Sequence, residues 1–494
     1  MALVPLDLKA GFYRNGTDLD AANRWRDGSL VRWRDGSLRP IGGWQEFKDG
    51  FATNPVRGAH AWESLGGTSY FAGGSYNELK AMTGGGTIYN ITPTVMSAGR
   101  EDAAQNLGFS GGFFGTGFFG TARPATGIYS EATSWALDNY GQFLVGVHYD
   151  TGTLVEWQLG SSAVAAPVTN APLNNLGLVV TEERFIFLLG AGGNPRKVQW
   201  CDKEANTVWT AAATNEAGDF TLQTSGQIMQ GLKTRGQTLI LTDSDAFAAK
   251  YLGPPYVYGF DRVGTSCGAV SRMSAVDTDM GTFWMGQNGF FGFDGNSVKE
   301  IPCEVHDYVF DDINVNQQSK IWAFSNSEFS EVWWFYPSED SLEIDRYVAF
   351  DLLENHWLIG NLSRTGGVSR GIFRSPYLAG HNSDTDIYAH ENGLNYDGSA
   401  VFCETGPISI GAGDQISKVT EVIPDEKTQG DVDLKFKTRF YPNATETTHG
   451  PFNPRNPTSV RFSGRQIRMR VDGVQAAAWR FGTMRLETKA GGRR

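Results

Sequence analysis

The chain has 494 residues, a net charge of -12 and 13% aromatic residues, and its 61 glycines fit turn-rich all-β structure. The negative charge disfavours a protein that binds nucleic acid by releasing counterions from phosphates. No apolar run approaches the roughly 18 residues of a membrane span, and the start of the sequence lacks the apolar core of a signal peptide. We therefore expect a protein made in a cytoplasm and kept there or packaged from it, with its four separated cysteines as free buried thiols.

The first segment, residues 1–50, contains a short repeat. The motif Trp-Arg-Asp-Gly begins at Trp25-Arg26 and again at Trp33-Arg34. Asp-Gly favours tight hairpin turns, so the repeat predicts two short β-turns that present Trp25 and Trp33 in register. The two tryptophans either pack together at a sheet edge or stack with neighbouring arginines. We expect this arm to close the ring of the fold that follows it, or to dock on a partner.

The middle of the chain, residues 51–400, repeats one pattern of strands. In its clearest copy, Thr282 to Cys303, aromatic runs alternate with the turns Gln-Asn-Gly and Asp-Gly-Asn, which predicts three short antiparallel strands. The midpoints of all such segments lie about 45 to 55 residues apart, the period of propeller blades. The sequence therefore predicts a β-propeller of about seven blades. The other six segments are Trp62 to Ile91, Trp135 to Trp157, Leu176 to Trp209, Leu232 to Leu252, Val332 to Trp357 and Ile372 to Asp397.

One interval between blades is longer because it holds an insertion, within residues 100–130. The insertion carries the repeat GFFGTGFFGT, with the paired aromatics Phe113, Phe114 and Phe118, Phe119. Its glycines match GxGxxG, but no buried strand precedes them and a proline opposes the helix of a dinucleotide site. An extended glycine- and phenylalanine-rich loop is predicted instead. Its rings either plug the end of the propeller or form an exposed or channel-facing gate or tip that meets a membrane, a plug or a partner.

Residues 401–494 alternate apolar and polar side chains, which predicts a small β-sandwich of about 90 residues. From Arg455 to the end, ten Lys or Arg stand against two Asp or Glu, a balance of +8 that leaves -20 for the preceding residues. This basic end is either a solvated strand face or a docking surface for an acidic partner or a neighbouring subunit. The candidate docking surface draws on both ends of the chain: Trp25, Arg26, Trp33, Arg34, Arg461, Arg465, Arg468 and Arg470.

Propellers also serve as glycosidases, which need two carboxyl groups roughly 5 to 10 Å apart. Glu300, Asp311 and Asp312 are available, and the stretch from Asp277 through Asp279 to the following tryptophan resembles the Asp box of sialidases, where that motif is structural. The chain has no GxSxG or HExxH motif, and its seven histidines show no metal-ligand spacing. The sequence thus predicts no catalytic residue, no metal, no cofactor and no enzymatic activity.

Four stretches of the sequence together suggest a family. They are GFYRNGTDLDAANRW with WRDGSLRPIGGW, the GFFGTGFFGT repeat before SWALDNYGQFLVG, the blade GQNGFFGFDGNSVKEIPCEVHDYVFDDIN, and VRFSGRQIRMRV with WRFGTMRLE at the basic end. In order and style they resemble the β-propeller tail hub, or nozzle, proteins of short-tailed bacteriophages, which stabilise packaged DNA. The likeness spans nearly the whole chain.

This resemblance implies a structural protein of the virion tail, assembled in the host cytoplasm. It implies a hexamer below the adaptor, or head-to-tail connector, whose channel retains packaged DNA and passes it during ejection without sequence-specific binding. Tail fibres or tailspikes are further implied partners, and the tip is a candidate for contact with the host envelope. Two other functions stay open: a propeller glycan hydrolase or depolymerase, and a monomeric receptor-binding module.

Overall fold

Seven antiparallel sheets of four strands follow one another along the middle of the chain. The computed structural model describes residues 2–105, 129–160, 163–381, 385–409, 416–474 and 476–492. In six of these sheets the four strands are consecutive in sequence and pair as a meander. The first strand of each sheet contacts the first strand of the next, and the seventh contacts the first. This arrangement is a seven-bladed β-propeller, and the predicted fold class is confirmed.

The strands of each blade run in order from the central channel outward. Blades one to three have the strands Ala59–Glu63, Ser69–Gly74, Leu79–Thr83 and Ile88–Asn90; Trp135–Tyr140, Phe143–His148, Leu154–Trp157 and Ala166–Pro167; and Gly177–Val180, Ile186–Leu189, Lys197–Trp200 and Gly218–Thr221. Blades four to six have Ile228–Thr234, Gln237–Thr242, Asp245–Gly253 and Val257–Thr265; Ala275–Thr278, Gly281–Met285, Phe290–Phe293 and Val298–Ile301; and Trp322–Asn326, Glu331–Tyr336, Arg346–Asp351 and His356–Asn361.

The seventh blade is completed by the N-terminal arm. Its outermost strand, Trp44–Ala52, pairs antiparallel with the third strand of the blade. Phe51 of this closing strand is fully buried and lies edge to face against Phe71 of blade one, with ring centroids 5.4 Å apart. Strand pairing thus joins the two ends of the ring and removes a free sheet edge. The three inner strands are Gly366–Val368, Tyr377–Ala379 and Thr385–His390.

The segment from Thr282 to Cys303 forms the three outer strands of blade five, as its aromatic runs and turns predict. The carboxylate of Asp294 holds one of these turns, because it accepts the backbone N–H of Asn296 at 3.0 Å and of Ser297 at 2.9 Å. Such side-chain bonds within a turn are the reason that Asp favours turns. The innermost strand of the blade lies before this segment.

The rest of the described chain forms a two-sheet sandwich that uses both ends of the sequence. Sheet I has the strand order Ala2–Leu6, Met484–Ala490, Ser417–Pro424 and Thr458–Gly464. Sheet II has the order Lys9–Phe12, Arg24–Ser29, Phe402–Thr405, Gln466–Gly473, Val432–Arg439 and Thr447–Phe452, with Ile408–Ser409 beside Gln466–Gly473. The remaining elements are the hairpin Val31–Arg34 and Ser37–Pro40, the strand pair Ala104–Gln105 and Tyr129–Ser130, the α-helix His306–Phe310, and the 3-10 helices Ala191–Gly193 and Val315–Lys320.

The two Trp-Arg-Asp-Gly motifs have different structures. Gly28 of the first motif lies inside a strand of sheet II, and a Cβ built on it would lie 2.5 Å from Cζ of Phe12. This glycine therefore permits close packing and does not make a turn. In the second motif, Asp35 and Gly36 have φ values of 52° and 69° between two paired strands, as a tight hairpin requires. The prediction of two matching turns is wrong for the first motif, because the ring of Phe12 occupies the space beside that glycine.

The sandwich packs against blade six and shares its core. The strands Lys9–Phe12 and Arg24–Ser29 contact the outermost strand of that blade. Between them, a Cβ on Gly11 would lie 2.5 Å from Cβ of His356. Buried apolar side chains run without a break from the sheets of the sandwich into blade six. The propeller and the sandwich are therefore joined through a continuous apolar core.

Candidate functional site at the inter-blade face

The connections between blades gather on one face of the propeller. Because the strands of a blade alternate in direction, the turn after its second strand and the connection to the next blade lie on the same side, called here the inter-blade face. Residues 91–134, which contain the insertion, connect blade one to blade two. Residues 302–321 connect blade five to blade six. In a ring of seven blades these two connections start on opposite sides of the channel.

The two connections meet across the channel. The strands Ala104–Gln105 and Tyr129–Ser130 pair antiparallel, so the described chain enters and leaves the insertion at neighbouring positions. The side-chain amide of Gln317, on the connection between blades five and six, accepts the N–H of Ala103 at 3.0 Å and donates to its carbonyl at 3.1 Å. Backbone from one side of the ring is therefore fixed to the other side, over the mouth of the channel.

A buried cluster of charges holds this crossing in place. Lys320, whose side chain is 0% exposed, donates to Asp102 at 2.6 Å and to the carbonyl of Leu342 at 2.6 Å. Arg57 donates to both carboxylate oxygens of Glu343, at 2.9 and 2.5 Å, and the same carboxylate lies 3.6 Å from Nζ of Lys320. The cluster joins four segments of the chain. Asp102 follows blade one, Lys320 follows blade five, Arg57 follows blade seven, and Glu343 lies in a turn of blade six. We call it the crossing cluster.

The charges of the crossing cluster depend on one another. Burial is the largest single influence on Glu343 and raises its pKa, but the charge and hydrogen bonds of Arg57, the charge of Lys320 and a backbone hydrogen bond together outweigh burial and hold the pKa at about 2. Burial and the nearby Arg57 guanidinium lower the pKa of Lys320, while Glu343 and Asp102 oppose that shift. Because a charge left alone in the interior is poorly solvated, removal of one partner from such a cluster costs about 3 to 5 kcal/mol.

A second buried ion pair anchors the returning end of the insertion. Arg272, from the connection between blades four and five, donates to the two carboxylate oxygens of Glu131 at 2.7 and 3.4 Å. It also donates to the carbonyl of Ile228 at 3.1 Å, and its guanidinium lies 4.2 Å from the ring centroid of Tyr149. Buried ion pairs rarely stabilise a fold more than apolar packing does. What this pair and the crossing cluster provide is a fixed position for both ends of the insertion.

The phenylalanines predicted as a gate or tip, Phe113, Phe114, Phe118 and Phe119, lie outside the described residues. Their role stays a prediction. The described structure gives the place from which the insertion starts, at the mouth of the channel on the inter-blade face. The sequence located the insertion but not its anchors, because these anchors are single charged residues on connections of other blades and form no motif.

The two tryptophans of the predicted docking surface are core residues. Trp25 and Trp33 are each 3% exposed, and their ring centroids lie 6.0 Å apart. Trp25 also contacts Phe481 of the sandwich at 6.3 Å, and Trp33 contacts His356 of blade six at 5.6 Å, both edge to face. Their inclusion in a docking surface is therefore corrected. Two large apolar rings fill the space between the sandwich and the propeller, where they are removed from water.

Three arginines of that surface pair with carboxylates of the same chain. Arg26 lies 2.8 Å from Asp18, and Arg468 pairs with the same carboxylate. Arg470 lies 2.8 Å from Asp472. All three arginines are partly buried on the outer face of sheet II. Their positive charge is therefore largely balanced within the chain.

The other three arginines differ in their surroundings. The guanidinium of Arg34 lies 5.3 Å from the ring centroid of Phe329, and that of Arg465 lies 5.3 Å from the ring centroid of Tyr441. Arg461 is exposed on sheet I and has no ion pair with any described residue. Of the predicted arginines, Arg461 is thus the one whose charge faces solvent without a described partner.

On the opposite face of the propeller, two cavities flank the turn that follows the first strand of blade five. One, of ≈ 440 Å³, is lined by Arg235, Asp277 and Asp279 among others, and the second, of ≈ 360 Å³, lies between the same two aspartates and Arg370. Thr282 Oγ1 donates to Asp277 at 2.5 Å, and burial raises the pKa of Asp277. Both cavities have the size of small-molecule sites.

The other candidate carboxylates do not form one site. Glu300 is exposed on the outermost strand of blade five, whereas Asp311 and Asp312 follow the α-helix on the inter-blade face. Asp312 pairs with Arg346 at 2.7 Å. Within the described ranges, no three His, Cys, Asp or Glu side chains are placed to hold a metal ion. No helix in the described part of the chain is long and apolar enough to cross a membrane.

No family model and no curated protein matches the chain. Among solved structures, a virginiamycin B lyase from Staphylococcus aureus is 8% identical, covers 70% of this chain and 97% of its own, and has a TM-score of 0.42. YCF48 bound to a D1 peptide is 8% identical, covers 71% and 97%, and has a TM-score of 0.41. An exo-β-1,3-galactanase from Phanerochaete chrysosporium is 10% identical, covers 91% and 100%, and has a TM-score of 0.31. At such identities the likeness concerns the fold alone.

The prediction that the chain has no enzymatic activity, which rested on the absence of catalytic motifs, is wrong. A lyase and a galactanase are among the similar structures, and a streptogramin B lyase is similar as well. Functional residues of such scaffolds sit on loops that the fold brings together, so they need no fixed spacing in sequence. A missing catalytic motif therefore does not exclude an activity.

Proposed function

We propose that this chain is the tail hub, or nozzle, of a short-tailed bacteriophage. Six copies form a ring below the adaptor, and the channel of the ring retains packaged DNA and passes it during ejection. Tail fibres or tailspikes attach to the side of the ring, and the tip contacts the host envelope. The protein belongs to the virion tail and is assembled in the host cytoplasm.

The anchored insertion is the observation that carries this proposal. A propeller does not need buried charges at its channel mouth, yet Lys320, Arg57 and Arg272 are 0%, 2% and 6% exposed there. Burying these groups costs solvation energy, and their pairing holds the flanks of a glycine- and phenylalanine-rich segment at one place. A rigid mount for an aromatic segment suits a hub that must present the segment to DNA, to a plug or to the envelope.

The distribution of charge also supports the proposal. Residues 1–454 have a balance of -20. An acidic wall repels the phosphates of DNA, so DNA can pass through a channel without adhering to it. A ring of head-to-tail copies closes when each step turns by about 60°. A propeller leaves only short strand edges, so each copy does not offer long free strands for aggregation.

Electron microscopy of the purified protein, alone and with the portal and adaptor from the same genome, tests the proposal. We expect a six-fold ring with a central channel, formed alone or on the adaptor. A single propeller that does not bind the adaptor under either condition would contradict the proposal. The same images locate the inter-blade face relative to the portal.

The predicted role of the insertion has a separate test in phage particles. Replacing Phe113, Phe114, Phe118 and Phe119 with Ser is expected to leave rings intact and to reduce DNA retention or ejection. Tyr256→Ser, which changes a ring that is 78% exposed at a hairpin tip of blade four, is the matched control. DNA per particle and infectivity are the measurements. If both variants equal the wild type, the insertion does not have this role.

The cavities on the opposite face favour one second candidate, a glycan hydrolase or depolymerase. Asp277 has a pKa raised by burial, as a general acid requires, and it lies in the same ≈ 440 Å³ cavity as Glu182 and Asp279. Asp277→Asn and Asp279→Asn are expected to abolish cleavage of host polysaccharide while the fold persists. Absence of any cleavage by the wild-type protein would remove this candidate.

A further inference from the structure

The outer face of sheet I, called here the cationic face, carries positive charges that the described chain does not neutralise. Its cations are Lys418, Arg461, Arg485 and Lys489, and none of them has an ion pair with a described residue. Lys418 lies directly opposite Lys489 on the neighbouring strand. Like charges at opposed positions destabilise a sheet, and Glu421 lies opposite Glu487 in the same way, so what favours an anionic partner is the excess of two positive charges on this face.

The two faces of the sandwich differ in this respect. On sheet II, Lys437 lies 2.7 Å from Glu404, and Lys435 lies 3.0 Å from Asp472. On sheet I the nearby carboxylates are Glu421 and Glu487, and Glu487 accepts a hydrogen bond from Thr420 at 2.5 Å. The four cations of sheet I therefore outnumber the two carboxylates of the same face, and no described ion pair joins them.

The inter-blade face carries the complementary charge. Glu101, Asp311, Glu339 and Asp340 are exposed and form no ion pair with described residues; we call them the acidic rim. Hydrogen bonds join the segments that bear them: Asn314 donates to the carbonyl of Ser341 at 2.9 Å, and Lys320 bonds both Asp102 and the carbonyl of Leu342, each at 2.6 Å. The segments that bear the four carboxylates are therefore joined to one another on this face.

Two exposed apolar side chains lie on the same connections and turn as the acidic rim. Val315 is 66% exposed and Leu342 is 60% exposed. Exposed apolar groups surrounded by charged ones are typical of protein interfaces, in which the apolar groups are buried and the charges select the partner. A nucleic acid would be repelled by the rim, whereas a basic protein surface fits it.

We propose that the cationic face of one copy docks on the acidic rim of a second copy. The two surfaces belong to different parts of the chain, so the contact is head-to-tail and each copy uses both surfaces, which is the arrangement that generates a ring. The inference rests on the proposed function for the ring itself and adds which surfaces meet. It also assigns Arg461 to this contact and leaves Arg468 and Arg470 to the internal pairs of sheet II.

Charge reversal of the full-length protein tests the contact. The cationic-face variant is Arg461→Glu with Arg485→Glu, and the rim variant is Glu339→Lys with Asp340→Lys. Each is expected to weaken self-association by about tenfold or more at about 0.05 M NaCl, as measured by sedimentation velocity. The control, Lys250→Glu with Lys427→Glu, changes the net charge as much as the cationic-face variant at exposed positions outside both surfaces.

Mixing the two variants gives a sharper result. The normal rim of the cationic-face variant fits the normal cationic face of the rim variant, and the two reversed surfaces fit each other, so an equimolar mixture is expected to assemble again with the two variants alternating around the ring. A single chain with all four reversals is expected to assemble again. If the wild type assembles only on the adaptor, the assembly of the same variants is measured on the adaptor.

The outcomes separate the two proposals. If the cationic-face variant assembles like the wild type, or if the mixture forms no complex, the inferred contact is wrong, although rings of the wild type would still support the nozzle. If the wild type forms no ring either alone or on the adaptor, both the contact and the proposed function are overturned.

Discussion

Replacing Glu343 with Gln is the most direct test of the crossing cluster. The difference between the pKa of about 2 in the folded chain and the usual pKa of 4.5 for a glutamate corresponds to about 3 kcal/mol of stability at pH 7. Gln has no charge to oppose the buried Arg57 and Lys320. We therefore expect Glu343→Gln to lower the free energy of unfolding at pH 7 by about 3 to 5 kcal/mol.

The pH dependence of this effect has a definite sign. Because the pKa of Glu343 is lower in the folded chain, its stabilisation is complete above about pH 5 and is lost as the pH falls toward about 2. At about pH 3 the difference between wild type and Glu343→Gln should be about 2 kcal/mol smaller than at pH 7. Urea unfolding followed by tryptophan fluorescence at the two pH values measures it.

Glu339→Gln is the matched control for this experiment. Glu339 lies in the same turn of blade six, but it is exposed and has no ion pair with a described residue. Its replacement should change stability by no more than about 0.5 kcal/mol. Equal losses in the two variants, or a loss in Glu343→Gln that does not shrink in acid, would refute the reasoning about the crossing cluster.

Four further changes test other parts of the fold. Burial raises the pKa of Glu331 to about 7, so the folded chain binds this proton more tightly than the unfolded chain does. The free energy of unfolding of the wild type should therefore fall by about 3 kcal/mol as the pH rises from about 4.5 to about 8. Urea unfolding of Glu331→Gln should not show this fall. Gly28→Ala should lower the free energy of unfolding by about 1 to 3 kcal/mol, because the new Cβ clashes with Phe12. Gly36→Ala should lower it by about 1 kcal/mol, because residue 36 has a positive φ. Thermal unfolding measures both changes. Phe51→Ala should cost about 3 to 5 kcal/mol and speed amide exchange in the closing strand.

The blades were predictable because their signals are local. An aromatic run and a Gly, Asn or Asp turn lie within about ten residues of each other, and their recurrence reports the number of blades. The turn at Asp294 has the structure that its sequence predicts, since the carboxylate bonds the next backbone N–H groups. The hairpin at Asp35 and Gly36 is predictable for the same reason.

The packing of the arm was not predictable from such local signals. Gly28 has the same neighbours in sequence as Gly36, but Phe12 and a strand from the far end of the chain surround it. Whether Asp-Gly is a turn or part of a strand thus depends on residues that are distant in sequence. The same distant contacts bury Trp25 and Trp33. The repeat by itself predicts a pair of surface residues, because these contacts are not visible in the local sequence.

The candidate site was predictable only in part. The composition of the insertion marked it as unusual, and the spacing of the blades located it. The anchors were missed because Arg57, Arg272 and Lys320 are isolated charges on three different connections.

The position of the chain ends explains how the ring and the sandwich depend on each other. The closing strand Trp44–Ala52 pairs with the third strand of blade seven, and two strands before it, Ala2–Leu6 and Arg24–Ser29, pair with strands after residue 400. Between them, Arg32 lies 2.9 Å from Glu331 of blade six and 2.6 Å from Glu391 beyond blade seven, with all three side chains buried. A load on the sandwich is therefore carried to the ring through paired strands and a buried ion cluster. Because every one of these contacts joins distant parts of the sequence, the ring closes only after most of the chain is in place, and it then opens only if several contacts break together.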